Sequence, residues 1–168
     1  NLLQVRPNCS CNLSCPFCSV DAGPDSRTRI TTYEVERDYL VQWVRQVAEF
    51  KGDGVECHID PPGEPLLFPE IAPLVMDLKG IPGVKVVSMQ SNGTLLTREM
   101  VDDLESSGLD RLNLSLHALD PDLARELAGV SWYDVEQVKE AAREVAGSSI
   151  DLLVAPVYLP GKNDAEIP

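Results

Sequence analysis

Three cysteines near the start of the chain, Cys11, Cys15 and Cys18, form the spacing CxxxCxxC. Three thiolates in one short loop can surround a single inorganic core, whereas a disulfide scaffold spreads its cysteines along the chain. A structural zinc site normally uses four protein ligands, often in two separated CxxC pairs, and the sequence contains no second pair. A 4Fe-4S cluster held by three cysteines leaves one iron free to bind a small chelating molecule. The motif therefore predicts a reactive iron–sulfur site.

The other two of the five cysteines are Cys9 and Cys57. Cys9 is either a fourth ligand or a residue outside the ligand set, and its spacing of two from Cys11 favours the second interpretation. Cys57 lies in an aliphatic run and is predicted to be a small core residue. The odd count and the clustering indicate a reducing, cytoplasmic compartment rather than a secreted fold stabilised by disulfides.

Short aliphatic runs alternate with segments of helical period, and Gly, Pro, Asn and Asp separate them. The predicted strands are residues 2–6, 55–59, 84–89, 111–116 and 150–157. The alternation predicts an α/β fold with a parallel sheet, right-handed crossovers and helices outside. Residues 150–157 are largely aliphatic, with Asp151 as the one charged residue, and such a run is typical of a parallel strand buried on both faces.

The predicted helices come with start signals in the sequence. Thr31 and Glu34 form a capping box for a long helix. Its predicted apolar stripe is Val35, Tyr39, Leu40, Trp43, Val44, Val47 and Phe50. Thr97 is a predicted N-cap, and further helices are expected over 71–78, from about Pro121, from Ser131 with Asp134 as a weaker cap, and from 164 onward.

Polar segments follow each predicted strand. The cysteines follow the first strand, and the later ends carry Gly63-Glu64-Pro65, Ser91-Asn92-Gly93, Ser115 with His117, and Pro160-Gly161. Because the carboxyl ends of parallel strands meet at one edge of a sheet, these segments are expected to share one rim. The sequence therefore predicts a single functional edge.

The cysteine motif is similar to the CxxxCxΦC motif of the radical SAM superfamily, with Phe17 as the aromatic Φ. The resemblance implies that Cys11, Cys15 and Cys18 hold a 4Fe-4S cluster whose unique iron chelates S-adenosylmethionine, with Phe17 near the adenine. It also implies a parallel (β/α) partial TIM-like barrel, with five of the usual six βα units present. In this family the reduced cluster cleaves the sulfonium, and the resulting 5'-deoxyadenosyl radical abstracts a substrate hydrogen.

The second strand end resembles the family's GGEP motif, although Pro62 replaces the first glycine. The resemblance implies that Glu64 faces the ammonium group of S-adenosylmethionine. Gly63 is expected to permit close backbone approach.

The later strand ends also resemble the family's pattern. Ser91 and Asn92 resemble the ending of strand three, which meets the methionine or ribose portion of S-adenosylmethionine. Ser115 resembles an SLxA ending of strand four that donates to the same ligand, and the backbone around Val157 is expected to meet adenine. His117 is a candidate to face substrate or cofactor, whereas His58, inside a strand, is predicted to be structural.

The length and charge bound the remaining choices. The 168 residues suit one domain, and we expect them to be an excised core that lacks the sixth strand and any accessory domains. The net charge of -13 is opposite to the basic surface that binds phosphate backbones, so nucleic acid is not a predicted partner of these residues, although a further basic domain could reverse that. No run of eighteen uncharged apolar residues occurs, so no membrane span is predicted.

The resemblance implies a radical SAM enzyme with an unidentified substrate and an oxidoreductase or transferase outcome. The reactions that the resemblance allows are methylation, C–C bond formation, and modification of tRNA or cofactor precursors. A low-potential reductant such as ferredoxin or flavodoxin is then required. The alternatives are an iron–sulfur electron carrier or sensor that does not cleave S-adenosylmethionine, and a structural zinc protein.

Overall fold

The computed structural model describes residues 1–28 and 32–167, in which five parallel strands form one sheet. The strands are β1 (Leu2–Val5), β2 (Val55–Ile59), β3 (Val84–Ser91), β4 (Arg111–Leu114) and β5 (Asp151–Val154). The helices are α1 (Arg37–Lys51), α2 (Ile71–Lys79), α3 (Arg98–Ser106), α4 (Pro121–Ala128) and α5 (Val135–Ala146), with a 3-10 helix at Pro65–Leu67. The strands lie in chain order and every neighbouring pair is parallel, so all carboxyl ends lie on one rim.

The core lies between the helices and the outer face of the sheet. Along β2, Val55, Cys57 and Ile59 are buried, while Glu56 and His58 point to the opposite, inner face and are half-buried. Cys57 is thus the core residue that its aliphatic surroundings predict. This alternation separates an apolar outer face, which packs on helices, from a polar inner face.

Side-chain caps define where the later helices begin. The Thr97 hydroxyl accepts a hydrogen bond from the Met100 amide at 3.2 Å, so α3 starts as predicted. The Asp134 carboxylate accepts from the Glu136 amide at 2.9 Å. Asp134 is therefore itself the N-cap of α5, and the predicted start at Ser131 is wrong.

Helix α1 differs from its predicted pattern. Its N-cap is Glu36, and Thr31 of the predicted capping box lies outside the described residues. The buried residues of α1 are Val44 and Ala48, whereas Phe50, predicted to lie on the buried stripe, is 92% exposed. No helix in the described ranges combines the length and apolar content needed to cross a bilayer.

Strand β5 is shorter and more exposed than predicted. It ends at Val154, and Leu153 and Val154 are 46% and 47% exposed, because β5 is an edge strand with β4 as its sheet neighbour. The helix predicted from residue 164 is also wrong as far as residue 167. There the Asp164 carboxylate accepts from the Gly161 amide at 2.6 Å and closes a turn.

Candidate active site

A cavity of about 140 Å³ opens at the rim, between the carboxyl ends of β2, β3 and β4 and the cysteine loop, which we define as residues 9–23. Its lining residues are Cys11, Leu13, Cys15, Gly63, Glu64, Gln90, Ser91, Asn92, Ser115, His117, Ala118, Ala124, Ala128 and Tyr133. Most of the site residues predicted from the sequence are thus brought together. Phe17, Cys18 and Val157 lie outside this lining.

The cysteine loop packs directly against the backbone of neighbouring segments. A Cβ atom on Gly63 would lie 2.2 Å from the Ser10 carbonyl oxygen, and one on Gly129 would lie 2.0 Å from the Ser14 carbonyl oxygen. Gly129 also has a φ of +70°, a conformation that disfavours other residues. The absent side chain of Gly63 therefore makes room for the loop backbone itself. Hydrogen bonds at these contacts, such as Glu64 N to Ser10 O at 2.8 Å, fix the position of the loop.

Two thiols of the motif, those of Cys11 and Cys15, are disfavoured from ionising. Burial raises the pKa of Cys11, and burial together with the nearby thiols of Cys11 and Cys18 raises the pKa of Cys15 to about 12. All three are free cysteines, and Cys18 is exposed. Among the described residues, no three Cys, His, Asp or Glu side chains are arranged to share a single metal ion.

This donor set fits an iron–sulfur cluster. The thiols influence one another electrostatically, two of them line the cavity, and a positively charged core would stabilise the thiolates that burial disfavours. The cavity beside them provides the space in which a ligand of the cluster could lie.

Glu64 is a buried carboxyl group in the wall of the cavity, and only 1% of it is exposed. Its Oε1 accepts hydrogen bonds from the Ser91 hydroxyl at 2.8 Å and the Leu66 amide at 3.0 Å, and its Oε2 accepts from the Asn92 amide at 2.8 Å. Burial raises the pKa of Glu64 to about 7, although these hydrogen bonds oppose the shift. A carboxylate held in this way is suited to a cationic ligand.

Asn92 links the end of β3 to the cysteine loop. Its Nδ2 donates to Asn12 Oδ1 at 2.8 Å and lies 3.9 Å from the sulfur of Cys11. Its Oδ1 accepts from the Thr94 hydroxyl at 2.7 Å, and that hydroxyl also accepts from Asn12. Sequence reasoning missed Asn12 and Thr94, although each lies inside or directly beside a recognised motif.

Three further residues with polar side chains line the cavity: Ser115, Gln90 and Tyr133. The Ser115 hydroxyl accepts from Gln90 Nε2 at 2.7 Å. Burial, and the nearby thiol of Cys15, raise the pKa of Tyr133 to about 12, which keeps its phenol neutral. Gln90 and Tyr133 were missed by sequence reasoning, because neither belongs to a motif and only the fold brings them to the cavity.

His117 connects the two predicted site residues Phe17 and Val157. Its ring meets the ring of Phe17 edge-on, with centroids 5.0 Å apart, and its Nδ1 accepts from the Val157 amide at 3.0 Å. Burial lowers the pKa of His117, which favours the neutral imidazole. Phe17 and Val157 do not line the cavity themselves, but both contact His117, which does.

His58 and Cys9 lie away from the cavity lining. The Nδ1 of His58 shares a hydrogen bond of 2.7 Å with the Ser88 hydroxyl, which donates to Glu56 on the inner face of the sheet. The buried thiol of Cys9 accepts from the Tyr33 amide at 3.0 Å. These contacts give each residue a structural role in the fold.

Comparisons with known proteins agree with this architecture. The family model described as the Radical SAM superfamily matches residues 5–168. An uncharacterized protein of Methanocaldococcus jannaschii is 43% identical over 99% of this chain and 39% of its own length, and a GTP 3',8-cyclase of Gloeobacter violaceus is 34% identical over 100% and 50%, respectively. The crystal structure of Streptococcus suis SuiB bound to precursor peptide SuiA matches 94% of this chain and 33% of its own, with a TM-score of 0.71 and 24% identity.

The chain thus spans half or less of the length of these curated relatives. The similarity to the solved structure confirms the predicted α/β fold class, with the parallel sheet of a partial TIM-like barrel. A 4Fe-4S cluster and S-adenosylmethionine are the cofactors of the matched family. With its model matching nearly the whole sequence, the chain belongs to the radical SAM superfamily.

Proposed function

We propose that this chain is the core of a radical SAM enzyme, in which Cys11, Cys15 and Cys18 hold a 4Fe-4S cluster and the adjacent cavity binds S-adenosylmethionine. The observation that carries the proposal is a single cavity lined by two motif thiols and by the buried carboxyl group of Glu64. When bound and reduced, the cluster supplies the electron that cleaves the sulfonium to methionine and a 5'-deoxyadenosyl radical, which then takes a hydrogen atom from the substrate.

The polar wall is suited to the amino-acid portion of S-adenosylmethionine. Glu64 would accept hydrogen bonds from the ammonium group, because its carboxylate is already oriented by Ser91 and the Asn92 amide. The Asn92 side chain, which touches both Asn12 and Cys11, would hold the loop against this ligand. Ser115, with its hydroxyl fixed by Gln90, supplies a further polar contact directly after the neighbouring strand β4.

Part of the cavity wall is apolar. Leu13, Ala118, Ala124 and Ala128 line it, and all four are buried. Such a wall keeps water away from a reactive carbon radical, which would otherwise be lost to side reactions.

The partner and compartment follow from the same chemistry. A low-potential donor such as ferredoxin or flavodoxin would reduce the cluster, and we place the protein in the cytoplasm. The described residues contain no disulfide bond among the five cysteines, which supports a compartment where thiols stay reduced.

For the substrate, we propose a polar molecule that enters along the inner face of the sheet. Glu56 on that face accepts from the Ser88 hydroxyl and pairs with Arg111, and both charged side chains are partly exposed. GTP is the first molecule to test, because several relatives carry the name GTP 3',8-cyclase. Conversion of GTP would identify the substrate, whereas its recovery unchanged would leave cleavage of S-adenosylmethionine as a separate result.

The decisive experiment is anaerobic reconstitution of the full-length protein with iron and sulfide, followed by S-adenosylmethionine and dithionite. We expect 5'-deoxyadenosine and methionine in the products. Replacing Cys15 by Ala should abolish both the products and the absorption at about 400 nm that arises from thiolate-to-iron charge transfer. Cys9→Ser is the matched control, because Cys9 is not one of the three motif cysteines and its buried thiol accepts from the Tyr33 amide, and it should retain both.

Two other results would replace the proposal. A protein that binds the cluster but forms no 5'-deoxyadenosine would be an iron–sulfur electron carrier or sensor. One zinc per chain with no acid-labile sulfide would identify a structural zinc protein. Survival of the chromophore in Cys15→Ala would overturn the ligand set.

A further inference from the structure

Two side chains join the loops that follow β4 and β5, beyond the end of the sheet ladder. The ladder ends where the Ala155 amide donates to the Leu114 carbonyl at 2.8 Å. Past that point, the Val157 amide donates to Nδ1 of His117, and Nδ2 of Asn163 donates to the carbonyl of His117 at 2.9 Å. We call His117 and Asn163 the rim bridge.

Asn163 is fully buried, and both ends of its amide are used. Its Nδ2 also donates to the Val157 carbonyl at 2.8 Å, and its Oδ1 accepts from the Leu159 amide at 2.7 Å. The side chain therefore binds two carbonyls and one amide of the backbone. Only a group with a donor at one end and an acceptor at the other satisfies this arrangement, so aspartate could not replace it.

The ring of His117 contacts two segments of the rim, the backbone after β5 and the cysteine loop. Because Nδ1 accepts from the Val157 amide, the neutral ring carries its proton on Nε2. The ring also meets Phe17, the aromatic residue of the cysteine motif, at an interplanar angle of 87°. One imidazole thus fixes the spacing between the cysteine loop and the backbone after β5, and it lines the cavity as well.

We propose that His117 is a positioning residue for S-adenosylmethionine, which sets Phe17 and the Val157 backbone at the separation that the adenosine portion requires, and that Asn163 fixes the loop on which this depends. The inference rests on the proposed function, because Phe17 and Val157 are the residues expected at the adenine. The rim bridge acts on binding of the cofactor, since the thiols and Glu64 lie on other elements.

Two substitutions at His117 separate its two contacts. His117→Asn retains an acceptor near the position of Nδ1 and loses the ring, whereas His117→Phe retains a ring against Phe17 and loses the acceptor. Asn163→Ala removes the other half of the bridge. Thr97→Ala is the control, because it removes the cap of α3, and Thr97 neither belongs to the rim bridge nor lines the cavity.

The first measurement is hydrogen–deuterium exchange of the peptide containing Val157 in the full-length protein, with and without reconstitution. We expect the Val157 amide to exchange about tenfold faster in His117→Phe, as loss of its one hydrogen bond predicts, and near the wild-type rate in His117→Asn. Exchange should also be faster in Asn163→Ala, because the loop that carries Val157 loses its contacts with the Asn163 amide. Unchanged exchange in His117→Phe would show that the bridge does not hold this loop, and would overturn the inference without reference to catalysis.

The second measurement is the formation of 5'-deoxyadenosine as a function of S-adenosylmethionine concentration. We expect KM to rise about tenfold in His117→Phe and Asn163→Ala, with kcat within about twofold of wild type and KM unchanged in Thr97→Ala. A lower kcat at unchanged KM, or an equal rise of KM in Thr97→Ala, would overturn the positioning role. If the wild-type protein itself forms no 5'-deoxyadenosine, the proposed function fails, and the exchange result alone reports on the bridge.

Discussion

The cysteine loop and the loop after β5 are held in place by different means. The cysteine loop packs backbone against backbone at Gly63 and Gly129, where no side-chain atom fits. The loop after β5 is held by two side chains, His117 and Asn163, through hydrogen bonds of 2.8 to 3.0 Å. A backbone contact without spare space tolerates almost no added side-chain atom. A bridge of several hydrogen bonds loses only part of its stabilisation when one of them is removed. Substitutions in the glycines that hold the cysteine loop should therefore abolish binding of the proposed cluster. Substitutions in the bridge to the β5 loop should only weaken binding of the proposed cofactor.

The largest effect is expected from Gly129→Ala. The new Cβ would lie 2.0 Å from the Ser14 carbonyl, and the φ of +70° would be strained as well, so the loop must move. We expect a loss of more than about 3 kcal/mol in the free energy of unfolding and little iron or acid-labile sulfide after reconstitution. Denaturant unfolding and metal analysis measure both.

Gly80→Ala is the matched control for this prediction. A Cβ at Gly80 would meet atoms no closer than 3.5 Å, and its φ of -77° is an ordinary helical value. It should reconstitute like wild type. Normal iron content in Gly129→Ala would remove the distinction between the two loops.

Glu64 contacts the cysteine loop through its own backbone amide. Its ionisation is expected to change the free energy of unfolding with pH by about as much as Gly129→Ala does. Because burial raises the pKa of Glu64 to about 7, the folded state holds this proton where the unfolded chain releases it. Stability from this group is therefore present below about pH 4.5 and is lost as pH rises through 7, by on the order of 3 kcal/mol.

Urea unfolding between pH 5 and 8, without cluster or S-adenosylmethionine, measures this change. Glu64→Gln is the comparison, because its side chain does not ionise, and its stability should fall less over the same range. Parallel pH profiles of the two proteins would show that Glu64 is not the titrating group.

Asn163→Ala tests the other loop and should have a smaller effect. Removing this amide leaves three part-buried backbone groups without their partner, which costs about 2 kcal/mol after the loop relaxes. Iron and sulfide content should stay at the wild-type level, because Asn163 does not contact the cysteine loop among the described hydrogen bonds. Loss of the cluster in this variant would mean that the two loops are coupled.

The smallest effect is expected from Asp134→Ala, at the start of α5. Loss of this N-cap should cost about 1 kcal/mol in the free energy of unfolding. Neither loop contains Asp134, so iron content and the KM for S-adenosylmethionine should not change. A thermal melt and the product assay together check both statements.

Much of the frame is readable from local patterns. Strand β2 coincides with the predicted residues 55–59, and Thr97 caps α3 as expected, because aliphatic runs and caps depend on nearby residues. The motifs after the first four strands meet at one cavity because parallel topology places them there, whereas Pro160-Gly161 after β5 lies outside its lining. The role of each predicted site residue toward a ligand, and a sixth strand beyond β5, stay predictions.

The errors occur where distant segments decide the outcome. The aliphatic character of β5 predicts burial on both faces, yet its exposure depends on what lies beside it in the sheet. Phe50 follows the helical period but is exposed, because α1 covers the sheet with Val44 and Ala48. Gly129 reads locally as a helix C-cap, and only the folded chain shows that it also admits the cysteine loop.

The packing of Gly129 against Ser14 also has a consequence for the order of assembly during translation. Each new strand can pair with the one made before it, so the sheet can grow as the chain leaves the ribosome. The cysteine loop is made early, but it reaches its final position only when Gly63 and then Gly129 have been synthesised and folded. Cluster insertion should therefore be a late event in biogenesis, and until then the thiols stay accessible to oxidation or to a delivering scaffold.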